Sequence, residues 1–240
     1  MFMGDNIMKY KKIISGHFLS RSNRFVAYVK INGIETAVHV KNTGRCRELL
    51  LPDSKVYLED FSENPRNRKL MYDLVAVEKG DLLINMDSQA PNKVVLEALE
   101  RGTIRLPDMR DLNVIRPEKT YGESRFDFYI EDKNGHKGFI EVKGVTLEND
   151  GIAAFPDAPT ERGVKHINEL IKAKNDGYNA YILFVAQMSG MKHLIPNDVT
   201  HKAFGDALRL ACSCGVYVLA YECEVAPDSL DITNEIEVKL

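Results

Sequence analysis

The sequence predicts two domains, a small closed β-barrel followed by an α/β domain with a mixed sheet. In the first third of the 240 residues, about five short apolar alternations are separated by turn residues, which is typical of a small OB-like barrel. From residue 87 onward, amphipathic helical segments alternate with apolar strands, which is typical of an α/β domain. We therefore place the domains at residues 1–86 and 87–240.

Composition and charge limit the possible functions. The chain is 44% hydrophobic and 28% charged, as is ordinary for a globular protein. Its formal net charge of −3 gives no general attraction to nucleic acid, so DNA binding requires a local basic patch. The sequence contains no GxGxxG or P-loop pattern and no serine or cysteine nucleophile motif, which argues against enzymes of those classes.

The cysteines and the N-terminal segment predict a cytoplasmic protein. Four cysteines are present and lack CxxC or zinc-knuckle spacing, so we expect reduced thiols. Residues 1–12 contain no apolar run long enough for a signal peptide, and no segment has the length to span a bilayer. We expect no membrane partner, and the sequence leaves the oligomeric state open. The cysteines are Cys46, Cys212, Cys214 and Cys223.

The barrel prediction begins with a hairpin. Residues 24–31 and 34–40 flank Asn32-Gly33, which favours a type I′ turn. Further strands are expected at 55–61, 70–78 and 82–86, with a turn at 79–81. The hairpin pairing places on one face Phe25, Ala27, Val29, Ile31, Ile34, Val38 and Val40.

The second domain is predicted from helical and apolar periodicity. Residues 94–101 carry an apolar stripe, and Gly102 follows as a stop signal. A longer helix is expected at 161–175, with Thr160 as N-cap and Gly177 past its end. A buried strand at 180–186, a helix through residues 204–211 and a last strand at 216–221 complete an order of hairpin, helix, strand, helix and strand.

A second hairpin carries the residues with the clearest chemical potential. Apolar and polar side chains alternate along 125–131 and 137–143, which predicts two half-buried strands. Phe126 and Phe128 mark one face of the first strand. Asp127, Glu141 and Lys143 are therefore expected together on the opposite face.

The connection between these strands sets their register. A two-residue Asn134-Gly135 turn would pair Asp127 with Val142 and mix apolar with acidic side chains. A three-residue loop with Gly135 in the left-handed conformation pairs Asp127 with Glu141 and keeps the faces separate. We choose the three-residue loop.

This register places two carboxylates opposite each other. Their repulsion is about 3 kcal/mol at a separation of ~5 Å and an effective dielectric of ~20. Lys143 offsets part of this energy, and a divalent cation would offset more, because hard oxygen ligands suit Mg²⁺ or Mn²⁺. The alternative is a surface hairpin with a solvated charged face.

Several segments of the sequence resemble the sugar fermentation stimulation protein A (SfsA) family. The resemblance extends from about residue 13 to about residue 222, and the run from Phe155 to Gly163 is its longest and most specific part. The matching segments are Arg21-Ser22-Asn23-Arg24-Phe25-Val26-Ala27, His39-Val40-Lys41-Asn42-Thr43-Gly44-Arg45, Ser124-Arg125-Phe126-Asp127-Phe128 and Phe155-Pro156-Asp157-Ala158-Pro159-Thr160-Glu161-Arg162-Gly163.

The resemblance implies a role in sugar utilisation through DNA binding. It further implies that the second domain is restriction-endonuclease-like, similar to the PD-(D/E)xK nucleases. The metal-binding Asp of that superfamily matches Asp127, and its Glu-x-Lys matches Glu141-Val142-Lys143. Glu97 lies on the preceding helix, where such nucleases place another acid. The resemblance implies DNA binding more firmly than cleavage.

In such a phosphodiesterase, Asp127, Glu141 and Glu97 would be the metal ligands, and Asp127, Glu141 and Lys143 the catalytic residues. The metal would be Mg²⁺ or Mn²⁺, and Lys143 would orient the attacking water or stabilise charge on the phosphate. Basic and amide side chains predict DNA contacts without strong sequence specificity, and Gln187 is an auxiliary candidate. The predicted DNA contacts are Arg21, Arg24, Lys41, Asn42, Arg45, Arg125, Arg162 and Lys165.

Each of these basic residues has an alternative interpretation as a solvated surface charge. The functional hypotheses are a metal-dependent DNA nuclease and a non-catalytic DNA-binding regulator of sugar (maltose-type) metabolism genes. A sugar-metabolism enzyme is suggested only by the family name. The sequence contains no helix-turn-helix pattern, so base-specific readout is not supported.

Overall fold

The computed structural model describes residues 7–42 and 44–240. The loop used for the family resemblance includes Thr43, which lies outside the described residues. The N-terminal part of the chain forms seven strands. They are β1 (Met8–Lys9), β2 (Ile13–Arg21), β3 (Val26–Ile31), β4 (Ile34–Val40), β5 (Lys55–Asp60), β6 (Tyr72–Lys79) and β7 (Leu82–Asn85).

Five of these strands close into the predicted OB-like barrel. They pair in the order β4, β3, β2, β5 and β6, and β4 returns to pair with β6. Closure removes the unpaired edges that an open sheet would expose. The β3–β4 turn has positive φ at Asn32 and Gly33, as a type I′ turn requires, and β7 extends the sheet beyond β6.

The predicted inner face of the first hairpin is right except at its ends. Phe25 is 54% exposed and Ile34 is 69% exposed, so neither contributes to the barrel core as expected. Phe25 precedes β3, and Ile34 directly follows the tight turn, where a side chain projects beyond the barrel. The inward residues between them are Ala27, Val29, Ile31, Val38 and Val40.

The remaining chain forms the α/β domain. Its helices are α1 (Ala90–Arg101), α2 (Glu161–Asn175) and α3 (Asp198–Ser213). Its strands are β8 (Leu112–Tyr121), β9 (Ser124–Asp132), β10 (Lys137–Val145), β11 (Leu147–Asn149), β12 (Ile152–Phe155), β13 (Asn179–Ala186), β14 (His193–Pro196), β15 (Tyr217–Ala226), β16 (Ser229–Glu235) and β17 (Glu237–Val238).

A mixed seven-stranded sheet forms the centre of this domain. Its order is β1, β16, β15, β13, β10, β9 and β8, with parallel pairing of β10, β13 and β15 and antiparallel pairing toward both edges. Side chains of β13 alternate between two apolar cores, as expected for a central strand covered on both faces. A second sheet contains β11, β12, β14 and β17.

Several strands lie outside the predicted set, for different physical reasons. β8 was not predicted because most of its side chains are exposed and it includes Pro117, which is tolerated at a sheet edge. β11, β12 and β14 have three or four residues each, too few to display a period. β1 pairs with β16, so residues 8–9 lie in the α/β sheet before the chain enters the barrel.

The long helix has the predicted limits and caps. α2 begins at Glu161, where the Thr160 hydroxyl accepts a hydrogen bond from the Gly163 amide at 3.0 Å. The helix ends at Asn175, and Gly177 has a φ of +89°, so the left-handed position after the helix carries a glycine as expected. α1 ends at Gly102 as predicted but begins four residues earlier than expected, with Pro91 in its first turn.

A buried polar network joins the barrel to the α/β domain. Gln187, which follows β13, donates hydrogen bonds to the Asn85 side-chain oxygen at 2.9 Å and to the Asp87 carbonyl at 3.0 Å. The Asp87 carboxylate accepts from the Tyr10 hydroxyl at 3.3 Å and forms an ion pair with Lys41. Burial and the charge of Asp87 raise the pKa of the Tyr10 hydroxyl. The network holds the barrel at one end of the central strands.

The described helices include none whose length and apolar character would allow it to cross a bilayer. The proposed division at residues 86 and 87 coincides with this network and stays a prediction, because the two parts of the chain share its hydrogen bonds.

We predict that Asp87→Ala lowers the free energy of unfolding by about 3 kcal/mol, because it leaves the partly buried Lys41 ammonium without its counter-charge. Urea denaturation measures the change. The matched control is Asp81→Ala, in an exposed turn, which should change stability by less than about 0.5 kcal/mol. Equal effects for the two variants would contradict the role of the network.

Candidate functional site

The second hairpin has the predicted loop and register. Gly135 has a φ of +85°, and the ladder pairs Lys137 with Glu131 through to Ile140 with Phe128. Continuing this register places Asp127 opposite Glu141. The backbone ladder stops one pair short of them, so the two acids lie where the strands separate.

The Asp127 carboxylate occupies the gap between the separating strands. One oxygen accepts a hydrogen bond from the Val142 amide at 2.7 Å. It takes the place that a backbone carbonyl would have in a continuous ladder. The other accepts from the side-chain amide of Asn92 at 2.7 Å. Asp127 is thereby held between β10 and the first turn of α1.

The alternation predicted for β9 breaks at this residue. Phe126 packs against Phe139 with ring centroids 5.2 Å apart, in the core that includes α2. Phe128 packs in the other core with α1. The prediction that both phenylalanines share a face is therefore wrong, and Glu118, opposite Asp127 in the adjoining strand register, has a φ of +56°. At this irregularity the Asp127 side chain lies along the sheet, toward β10, and not perpendicular to one face.

Glu141 lies in a buried ionic cluster. It is 3% exposed, and its Oε1 atom is contacted by both the Lys143 ammonium and the His166 Nδ1 atom. His166 Nε2 accepts a hydrogen bond from Arg162 Nε at 3.3 Å. The second carboxylate oxygen, Oε2, is buried and has no hydrogen-bond partner among the described residues. An uncompensated buried carboxylate oxygen is costly, which makes it a candidate ligand atom.

The two acids have opposite electrostatic environments. Burial, followed by the negative charge of Glu141, raises the pKa of Asp127. Burial also acts to raise the pKa of Glu141, but the hydrogen bond from His166 and the positive charge and hydrogen bond of Lys143 outweigh it, so that pKa is lowered. Glu141 and Lys143 both act on the pKa of Asp127, and Lys143 also acts on that of Glu141.

Two residues of this cluster were missed by the sequence interpretation. His166 is not among the predicted site residues, although it is buried. Its position relative to Gly163, Ile167 and Leu170 follows the i, i+3, i+4, i+7 pattern of a buried stripe, and this signal was available in the sequence. Asn92 had no such signal, because only tertiary packing brings the start of α1 to Asp127.

Glu97, predicted as a metal ligand, lies apart from the Asp127–Glu141 pair in the structure. Burial raises the pKa of Glu97, and the charges that act on it belong to Lys93, Arg101 and Asp231, on the opposite side of α1 from Asp127. Asn92 faces Asp127, and five residues at 3.6 per turn rotate Glu97 away from it. Within residues 7–42 and 44–240, no three His, Cys, Asp or Glu side chains form a group that could hold an ion.

Arg21 has a structural role that replaces its predicted contact with DNA. All five N–H donors of its guanidinium are used on backbone carbonyls, which leaves no donor for a phosphate. The prediction for Arg21 is therefore corrected. The acceptors are the carbonyls of Asn23, Arg24, Asn42, Gly44 and Arg45, at 2.7 to 3.1 Å.

Lys41 and Asn42 also serve the structure of the barrel loop. Lys41 has a side chain only 16% exposed and is paired with Asp87, so its predicted contact with DNA is corrected too. The Asn42 side-chain oxygen accepts from the Gly44 amide at 2.7 Å. In contrast, the Arg24 and Arg45 side chains are exposed. The Arg21 guanidinium donates hydrogen bonds to the backbone carbonyls of both residues.

The remaining predicted contacts lie on the α/β domain. Arg125 is exposed and lies 3.6 Å from Glu118, and Lys165 lies 3.3 Å from Glu123. Such exposed pairs contribute little to stability, so both side chains remain accessible. Arg162 is exposed at the start of α2 and contacts His166. Gln187 is buried in the polar network between the domains.

Comparison with known proteins identifies the family. One family model, the SfsA N-terminal OB domain, matches residues 19–86. Another, the Sugar fermentation stimulation protein RE domain, matches residues 89–229, which is more than half of the chain. The chain belongs to the SfsA family.

Relatives and a solved structure agree with this membership. The sugar fermentation stimulation protein homolog of Clostridium beijerinckii is 52% identical over 233 residues, covering 97% of this chain and 100% of the relative. The homolog of Clostridium botulinum strain Kyoto is 52% identical over 230 residues, covering 96% and 98%. The SfsA structure from Pyrococcus furiosus, solved in complex with Ca²⁺, has a TM-score of 0.86 at 28% identity and covers 99% and 100%.

The residues of the acid pair fit a divalent cation. Glu141 Oε2 is a buried oxygen without a partner among the described residues, and Asp127 supplies a second carboxylate. Mg²⁺ is commonly held by one or two carboxylates together with substrate phosphates, so a third acid is not required. Lys143 and His166 leave Oε2 free because both contact Oε1.

We predict opposite stability effects for the neutral variants of the two acids in metal-free buffer. Folding raises the pKa of Asp127, so its contribution to stability is lost as pH rises through that pKa. Asp127→Asn should therefore stabilise the protein at pH 7 by about 1 kcal/mol. Folding lowers the pKa of Glu141, so its contribution is present at pH 7, and Glu141→Gln should cost about 1–2 kcal/mol.

Thermal unfolding at pH 7 measures both effects, with the exposed Asp150→Asn as a control. The gain from Asp127→Asn should shrink as pH falls toward ~3.9, the ordinary pKa of aspartate, since the native side chain then becomes neutral. Destabilisation by Asp127→Asn at pH 7 would show that this carboxylate is not electrostatically unfavourable.

Proposed function

We propose that this protein binds DNA and cleaves phosphodiester bonds with the help of Mg²⁺ or Mn²⁺ at Asp127 and Glu141. The observation that carries the proposal is the buried Glu141 oxygen without a hydrogen-bond partner among the described residues, beside the half-buried Asp127 carboxylate and Lys143. The Ca²⁺ complex of the Pyrococcus furiosus relative supports the use of a divalent cation in the family.

Asp127 and Glu141 would hold the cation. When bound, it lowers the pKa of a coordinated water and neutralises charge on the phosphate. Asn92 and the Val142 amide keep the Asp127 carboxylate in place. Lys143 is positioned to donate a hydrogen bond to a phosphate oxygen or to the attacking water, because its ammonium lies at the partly exposed end of the cluster.

His166 acts through Glu141. Its Nδ1 atom contacts Glu141 Oε1 and its Nε2 atom accepts from Arg162, so the imidazole joins the acid to an exposed arginine. A side chain fixed on both sides keeps its partner in one orientation. His166 therefore positions the carboxylate so that Oε2 is directed away from α2.

The basic contacts to DNA would come from both domains. Arg24 and Arg45 are exposed on the barrel, and the Arg21 guanidinium binds both of their backbone carbonyls. On the α/β domain, Arg125, Arg162 and Lys165 are the exposed candidates. Contacts of this kind bind phosphates without reading bases, which agrees with binding of low sequence specificity.

One observation favours a second candidate function, a non-catalytic DNA-binding regulator. Glu141 is already paired with the Lys143 ammonium and contacted by His166, and Glu97 does not supply a third acid. A cluster of this kind is also compatible with a fold that binds DNA without cleaving it. Regulation of sugar metabolism genes belongs to this second candidate and is suggested by the family description alone.

Cleavage distinguishes the two candidates. We predict that linear, nicked, single-stranded or branched DNA is cut in Mg²⁺ or Mn²⁺ and is intact in chelator. Lys143→Met should reduce the rate at least about 100-fold, because it removes the charge beside the scissile phosphate. Gel electrophoresis of end-labelled DNA measures the rate.

The matched control is Lys137→Met, at the exposed start of the same strand, which should retain full activity. Asp127→Ala should abolish cleavage while DNA binding persists. Intact DNA with every substrate and metal, at protein concentrations that bind DNA fully, would favour the non-catalytic regulator.

We predict that DNA affinity falls steeply with salt, because phosphate contacts release condensed counterions. Arg24→Ala and Arg45→Ala should each reduce the slope of log K against log salt by about 1. Fluorescence anisotropy across a salt series measures the slope. Lys202→Ala, on α3 and paired with Asp206, is the control, and a flat salt response of the native protein would contradict nucleic-acid binding.

A further inference from the structure

A cavity of about 160 Å³ lies where the barrel, the second sheet and the end of β10 meet. We call it the junction cavity, and its wall includes Asn42, Gly144, Phe155, Asp157 and Gln187. A single water requires only ~10–15 Å³ by the same measure. The junction cavity therefore has room for an organic group and is much larger than a bare ion needs.

The junction cavity adjoins the acid site. Gly144 directly follows Lys143, so their Cα atoms are ~3.8 Å apart. A side chain at Gly144 would collide with Pro91 and with the Gln187 side-chain oxygen. Pro91 in turn precedes Asn92, which binds the Asp127 carboxylate. Gly144 thus belongs to the cavity wall and directly follows Lys143 in the chain.

The polar groups of the junction cavity are mainly acceptors. Gln187 is 1% exposed. Its side-chain nitrogen donates hydrogen bonds to Asn85 and Asp87, so its side-chain oxygen faces Gly144. Asp157 adds a carboxylate, held by the Arg45 amide at 3.1 Å. None of the described lining residues is cationic. These features favour a neutral group that donates N–H bonds and disfavour a phosphate.

The wall also offers an aromatic surface. The Phe155 ring is half-buried and packs 5.5 Å from the Phe184 ring and 5.1 Å from the Phe204 ring, measured between centroids. These neighbours hold it rigidly. Rigid aromatic rings are the usual stacking surfaces for bases of single-stranded or flipped nucleotides.

We propose that the junction cavity binds one unstacked nucleobase that carries an amino group, while the phosphate of a neighbouring nucleotide lies at Asp127, Glu141 and Lys143. The inference rests on the proposed function, since the base would belong to the DNA substrate. The Asp157 carboxylate and the Gln187 oxygen would accept hydrogen bonds from the amino group. Stacking on Phe155 would tolerate either a purine or a pyrimidine.

Neutral nucleosides test this site separately from cleavage, because they carry no phosphate and are not substrates. In ligand-observed NMR titrations of the full chain, guanosine should bind at least about 10-fold tighter than inosine, which lacks the amino group, and cytidine tighter than uridine. Asp157→Asn should reduce the preference for guanosine over inosine. These results are expected whether or not the protein cleaves DNA.

A filled cavity provides the matched comparison. Ala154 is half-buried and lines the cavity, so Ala154→Leu should lower guanosine affinity at least about 10-fold. Ala158→Leu, a half-buried position outside the lining, should leave it unchanged, and thermal unfolding should show both variants folded. The proposal is overturned if no nucleoside binds, if Ala154→Leu binds equally well, or if maltose binds in the cavity in preference to every nucleoside.

Discussion

The buried network around Asp87 is the interaction on which the arrangement of the two domains depends. Asp87 binds Lys41 from the barrel and Tyr10 from the segment that precedes it, while Gln187 binds the Asp87 carbonyl from the end of a central strand. Buried polar groups are costly unless they are paired, so the members of this network stabilise only one relative position of barrel and sheet. That position brings the barrel loop with Asn42 and Arg45 beside the end of β10, and the candidate site lies there.

The acid site shows how a fold accommodates an unfavourable electrostatic pair. Separation of β9 from β10 after Phe128 frees the Val142 amide, and Asp127 satisfies it. Glu141 is stabilised by Lys143 and His166, whereas Asp127 forms no ion pair with any residue that the structure describes and has a raised pKa. Local sequence rules are commonly broken at functional sites, and here the broken alternation of β9 coincides with one of the two acids that we propose as cation ligands.

The basic residues illustrate why residue type alone does not identify a nucleic-acid surface. Arg21 and Arg24 are three positions apart. Every guanidinium donor of Arg21 is hydrogen-bonded to a backbone carbonyl, whereas the Arg24 side chain is exposed. Lys41 neutralises a buried acid. The overall charge of −3 does not show where exposed cations lie, and Arg24, Arg45 and Arg162 are exposed. Affinity for a polyanion thus depends on which cations already have partners.

The sequence by itself determined the fold class, the limits of α2, the type I′ turn at Asn32-Gly33 and the register of the second hairpin. These features follow from local periodicity, capping and turn chemistry, which act between residues close in the chain. Only the tertiary structure decided that Asn92 and not Glu97 reaches Asp127, that His166 contacts Glu141, and that Gln187 spans the domains. Such contacts depend on the path of the chain between distant segments, which no local pattern encodes.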